Sequence, residues 1–318
     1  MFKIITNRKL ALVVTIVAIV ALFIFLLSSR TPTSSTQSGK INIVGSFYPV
    51  SYAAGAVGGN LVSVRTLVPS GVEPHDFEPS SRDFVDIGNA DILIYNGAGL
   101  EPWVQKWEAG TSIRPKHIIN MSTALRDRGV VLLEKNGAVD PHFWVDPVVM
   151  KVEAEIIRDV LVGVDSTNQQ IFIDNAKRLT NLLDVLDQRF RAGLTSCAIK
   201  NIIVGHEAFD YLGHRYGFPV TSISGISPDE EPAPKDLARI IALVKEKGVK
   251  YIFFETVASP KFSELIAREV GGGTLALNPL ESLTPNEVQS GEDYVSIMET
   301  NLVNLQKAMS CTEGILKI

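Results

Sequence analysis

From Ile41 onward the chain alternates short β-branched or apolar runs with amphipathic stretches, and no other feature limits its fold so strongly. The runs INIVGSF, LVSVRTLVP, DILIYNG and HIINM are separated by YPVSYAAGAVGG, SRDFVDIGNA and LEPWVQKWEAG. Strand and helix periods in alternation predict parallel strands joined by crossover helices. A second set, NIIVG, FPVTSIS, YIFFET and TLALNP, is separated by HEAFDYLGHRYG, APKDLARIIALVKEKG and SPKFSELIAREVGG. The expected architecture is therefore α/β, with two Rossmann-like lobes of parallel sheet over residues 41–165 and 196–318.

Residues 166–195 between them are of another kind. Thr167 and Gln170 form a capping-box pair, apolar residues recur at Ile171, Leu179, Leu182, Leu183, Leu186 and Phe190, and Gly193 suits a C-terminal cap. The pattern predicts one helix of about 27 residues, roughly 40 Å long. A helix of that length would join the lobes as a stiff strut.

The first thirty residues differ again. Lys3, Arg8 and Lys9 precede an apolar run from Leu10 to Leu27. About 18 such residues just cross a bilayer core of roughly 30 Å, whereas a cleaved signal usually carries about 7–15 and an A-x-A-like site, which does not follow Leu27. Residues 1–30 are accordingly expected to be a transmembrane signal anchor, with its basic flank in the cytoplasm and the remainder tethered on the extracytoplasmic face of the cell membrane. No cysteine precedes Cys197, so a lipoprotein is not expected. Residues 31–40, TPTSSTQSGK, read as a flexible linker.

Without the four Lys and Arg of the first thirty residues, 26 basic groups face 35 acidic ones, a balance of −9. That argues against nucleic acid and is compatible with cationic ligands. Cys197 and Cys311 are the only cysteines. An even pair in an oxidising compartment is most simply a disulfide, with a thiolate metal ligand as the alternative.

Five histidines occur in 318 residues, and three of them follow strand ends or sit in turn-rich loops: His75 in SGVEPHDFEPS, His142 in DPHFWVDP and His206 in VGHEAF. In open α/β sheets ligands bind beyond the carboxyl ends of the strands, so two facing lobes would bring these imidazoles together. Three imidazoles plus one oxygen make a tetrahedral zinc site. His117 and His214 have ordinary structural explanations. Asp76, Asp140, Asp146 and Glu207 lie near the three histidines; such carboxylates either accept from the second ring nitrogen of a metal-bound imidazole or cap helices. Trp144, beside His142, packs either over the site or into the core.

GSFYPV, LVPSGVEPHDFEPS, ADILIYNGAGLEPWVQKW, DPHFWVDP, VGHEAFDYLGHRYG, EPAPKDL, YIFFET, LNPLESLTP and GEDYVSIMETNL resemble, in that order, the zinc/manganese substrate-binding proteins of metal ABC transporters over about residues 41–311. The resemblance implies two lobes joined by a rigid helix, one metal ion between them, Zn(II) or Mn(II), and delivery to an ABC transporter permease by a monomer that is not an enzyme. It places His75, His142 and His206 at the first three metal positions. Manganese members commonly carry glutamate at the third, so His206 matches the zinc pattern, and three imidazoles favour the softer, later ion.

Two departures stand out. The family's fourth ligand is usually the aspartate of an LDPL-like stretch, whereas LNPL places Asn278 there. A neutral amide oxygen is a poorer zinc donor; Asn278 is ranked first, with Glu281, Glu255, Glu73 or a water as alternatives. The long His-rich loop of many zinc members is also missing: RDRGVVLLEKNGAVDPH is short and holds no histidine before His142. The competing reading, a membrane-tethered zinc hydrolase or hydratase with Glu255 or Glu281 as general base, has no local metalloprotease or nucleophile motif behind it.

Overall fold

In the computed structural model residues 39–110, 113–135 and 137–312 are described. The expected membrane segment lies outside the described residues. The first half runs β1 (Ile41–Gly45), α1 (Tyr48–Gly58), β2 (Val62–Thr66), α2 (Ser81–Asn89), β3 (Ile92–Tyr95), α3 (Trp103–Gly110), β4 (His117–Asn120) and α4 (Met121–Asp127). Its strands pair in parallel in the order β2-β1-β3-β4, with Ile41 opposite Val62, Ile43 opposite Ile92 and Ile92 opposite His117. An antiparallel pair follows, β5 (Glu134–Lys135) and β6 (Ala138–Val139), then α5 (Pro147–Val164) and α6 (Gln169–Gly193).

The second half runs β7 (Ile202–Val204), α7 (Asp210–Tyr216), β8 (Val220–Ser222), α8 (Pro234–Lys247), β9 (Tyr251–Phe254), α9 (Lys261–Val270), β10 (Gly273–Ala276), α10 (Pro285–Ser290) and α11 (Tyr294–Ala308). β7 pairs with β8 and β9 with β10, both in parallel, and β7 lies beside β9. The spatial order β8-β7-β9-β10 thus repeats that of the first half. This is the α/β architecture that the alternating periods predict. Cys197 and Cys311 form a disulfide, which ties the approach to β7 to the end of α11.

Short polar side chains start the helices that flank the site. Ser80 and Asp83 close a capping box on α2, Thr284 and Glu287 another on α10, and Asp146 accepts from the Val148 amide ahead of Pro147 at the start of α5. The long helix departs from expectation at its first turn. Thr167 and Gln170 do not box it; Asp165 accepts from the Asn168 amide over a 3₁₀ turn, and Gln170 bonds Asp174 within the helix.

α6 has 25 residues, about 37 Å at 1.5 Å per residue. Its buried stripe is Phe172, Ala176, Leu179, Leu183, Leu186 and Phe190, spaced by three and four, whereas Ile171 and Leu182 fall off that stripe and are exposed. Gly193 ends the helix for a reason other than its turn: a Cβ there would stand 2.5 Å from the Gln306 amide nitrogen, so its absence lets α11 approach. One core runs from Ile43 and Phe47 through Trp144 and Phe190 to Ile202, Phe253 and Leu305, so the two halves share their apolar interior.

Glu153 of α5 faces this core. It is fully buried, neither carboxylate oxygen has a partner among the described residues, and burial pushes its acid up from 4.5 to about 8. The folded chain then holds a proton that the unfolded chain releases above about 4.5, so this group's contribution to stability declines as pH rises from about 4.5 towards 8. Glu101, pushed up to about 7 by burial against its hydrogen bonds, slopes the same way. Glu153→Leu is expected to raise the stability of the metal-free chain by about 1–3 kcal/mol at pH 8, with a smaller gain at pH 5. Urea unfolding at both pH values checks this; an equal difference at the two would contradict it.

Candidate metal centre

His75, His206 and Glu281 lie in loops beyond the carboxyl ends of parallel strands, as the crevice rule requires, and His142 follows the antiparallel pair. His75 lies between β2 and α2, His142 just past β6, His206 two residues past β7, and Glu281 on the turn after β10. The Nε2 atoms of His75 and His142 are 3.1 Å apart, and those of His142 and His206 3.4 Å. Glu281 Oε1 stands 3.1 Å from His206 Nε2, 3.2 Å from His142 Nε2 and 3.6 Å from His75 Nε2. Four donors about 2.0–2.1 Å from a tetrahedral zinc lie about 3.3–3.4 Å from one another. These five edges scatter about that value and all four donor atoms lie within 4.8 Å of one another, so the donor set fits one such ion.

Carboxylates turn two of the rings. Asp140 Oδ1 is 2.8 Å from His142 Nδ1, and Glu255 Oε2 is 2.6 Å from His206 Nδ1; each acid also accepts the backbone amide of the same histidine. With Nδ1–H donated outward, the Nε2 lone pairs point to the common centre. Asp140 and Glu255 therefore have the orienting role open to the acids near the histidines. Glu255 is 49 residues from His206, and no local spacing reveals it. Asp146 and Glu207 act elsewhere, the first capping α5 and pairing with Arg215, the second pairing with Lys135. His117 and His214 are exposed and stand apart from the cluster.

Burial opposes ionisation throughout the centre, and the neighbours decide the balance. Against burial, Glu255 and Glu281 hold His206 well above the ordinary imidazole range, and Asp140 and Glu281 raise His142. Burial prevails at His75 and lowers it. Three surrounding imidazoles more than offset burial at Glu281 and keep its carboxyl well below the usual range. Burial, then the Glu281 charge, push neighbouring Glu73 up to about 9.

Asn278 is placed differently. Its amide nitrogen donates to Thr256 Oγ1 at 3.0 Å and Glu287 Oε1 at 2.9 Å, and its oxygen accepts from the Leu280 amide at 2.7 Å. The amide is spent on shaping a turn in which Leu280 takes a left-handed φ of 64°. That turn delivers Glu281, whose second oxygen is buried without a hydrogen-bond partner among the described residues. Trp144 serves both of the roles open to it: fully buried against Phe47, it lies tilted beside the His142 ring, centroids 5.2 Å apart, and donates to the Pro279 carbonyl of the same turn.

Residues 43–308 match the family model described as zinc-uptake complex component A, periplasmic. The chain belongs to the ZnuA family. It is 32% identical over 297 residues to the high-affinity zinc uptake system protein ZnuA of Bacillus subtilis, covering 89% of this chain and 92% of that protein. It is 33% identical over 316 residues to the zinc-binding lipoprotein AdcA of Streptococcus pneumoniae, covering 94% of this chain but only 61% of AdcA. The solved Zn(II)-bound ZnuA-like domain of that AdcA superposes with a TM-score of 0.74 at 36% identity, over 85% of this chain and 99% of the domain.

One expectation needs correcting in this ZnuA-family chain. The localisation read from Leu10–Leu27, a transmembrane anchor and not a lipoprotein, is not upheld. Among the described residues no helix is long and apolar enough to cross a membrane, and the AdcA relative is named a lipoprotein. An apolar run measures hydrophobicity, and hydrophobicity alone does not separate a permanent span from other membrane-directed leaders.

Proposed function

We propose that this chain captures one zinc ion at His75, His142, His206 and Glu281 and hands it to the permease of an ABC uptake system. The ion is cargo, and no covalent bond of a substrate is made or broken. The observation that carries the reading is the convergence of four donors, three of them imidazoles, within 4.8 Å of one another. That donor set favours zinc over manganese, which prefers oxygen. The names of the relatives, a zinc uptake system protein and a zinc-binding lipoprotein, support it, and the Cys197–Cys311 disulfide suits an oxidising compartment.

Zinc takes the deprotonated Nε2 atoms, so capture expels the protons that Asp140, Glu255 and Glu281 help His142 and His206 to hold. Apparent affinity is therefore expected to fall as pH drops, by up to about tenfold per unit for each proton displaced. Competition titration against a chromophoric chelator between pH 8 and pH 6 reads both quantities, with one zinc per chain expected. Failure to retain stoichiometric zinc anywhere in that range would defeat the proposal.

A further inference from the structure

The four donors are closed off unevenly. The side chains of His142, His206 and Glu281 are 0% exposed, and only His75, at 8%, reaches an opening. That opening is a cavity of about 150 Å³ bounded by His75, Gly99, Lys135, Asp140, Glu207 and Ile226. The cleft edge on the Glu281 side is stitched by bonds to main-chain carbonyls: the Gly71 amide donates to Leu283 at 2.8 Å, and Ser282 Oγ donates to Pro69 at 3.2 Å. Behind the mouth, Tyr211 Oη accepts from the Leu133 amide at 2.9 Å and donates to the Asp140 carbonyl at 3.0 Å.

An ion pair between two residues of the cavity wall bridges the halves there. Lys135 Nζ, carried on β5 from the first half, lies 2.8 Å from Glu207 Oε1 and 3.6 Å from Asp210 Oδ2 in the second half. All three side chains remain partly exposed, Lys135 at 44%. Such a pair holds weakly and exchanges readily with water. The ammonium also occupies Glu207, a carboxylate of the cavity wall that an arriving dication would otherwise meet on the way to His75.

Given the zinc-binding reading, we propose that Lys135 is the gate residue of the centre: its ammonium, held by Glu207 and Asp210 at the mouth leading to His75, sets how fast a divalent cation enters and leaves without ligating it. A positive charge on the path raises the barrier to passage in both directions, while the bound ion, enclosed by its four donors, is affected much less. Lys135 is thus a positioning residue acting on the route.

The test separates rates from equilibrium in the full-length chain. Zinc capture is followed by stopped-flow intrinsic tryptophan fluorescence, and release by transfer to excess chelator. Lys135→Ala is expected to speed both about tenfold, the low end of what focusing by an uncovered acidic mouth delivers, with Kd moved less than about threefold. Its capture rate should fall with added salt more steeply than that of the parent, since the carboxylates are then bare. Lys135→Arg, which keeps the charge, should retain the slow rates. Parental rates in Lys135→Ala, or a Kd change with capture unaltered, would overturn the gate and leave zinc binding standing. A chain that took up no zinc would overturn both.

Discussion

Glu281→Gln is expected to weaken zinc binding by more than about 100-fold, beyond the roughly 10- to 100-fold that follows loss of an outer partner of a ligand. The substitution preserves shape and removes an anionic donor that lies within 3.6 Å of all three Nε2 atoms. Asn278→Ala is expected to stay inside the smaller range, because the amide shapes the turn and its own polar atoms are engaged by Thr256, Glu287 and Leu280. Competition titration of both variants, with thermal unfolding to establish that each is folded, decides the matter. If Asn278→Ala proved the more damaging of the two, Glu281 would not be the fourth ligand.

Replacing both cysteines by alanine is expected to lower the stability of the metal-free chain by about 2–5 kcal/mol. The bridge spans a sequence separation of 114. In the chain-entropy account a loop of about 100 residues is worth up to about 4.7 kcal/mol, held in the unfolded state. Urea midpoints of the oxidised parent and the double variant measure it, and the variant should still bind one zinc per chain. Coincident midpoints would show that the cross-link does not restrain the unfolded chain.

The long helix shows how far local pattern carries. Its existence and length were legible from apolar recurrence, because 3.6-residue periodicity is a property of contiguous sequence. Which neighbours lined its buried stripe was not. Ile171 and Leu182 matched the apolar tally and face water, while Phe172 took the core position, since the packing partners α5 and α11 set the facing angle. The capping box at Thr167 failed for a related reason: Asp165 competed for the same turn and won.

Taken alone, the chain's order of residues pointed to the parallel α/β class, to three histidines near strand ends as candidates, and to a disulfide as the simplest reading of its only two cysteines. Periodicity, residue type and count carry those, and none needs a partner from elsewhere. Tertiary structure alone decided that Glu281 meets the imidazoles while Asn278 bends the turn beneath it, that Glu255 steers His206 from 49 residues away, and that Lys135 sits over the mouth. The physical reason is reach. A donor's role depends on angstrom-scale placement beside groups contributed by distant strand ends, and that placement is set only when the two sheets close on a shared core.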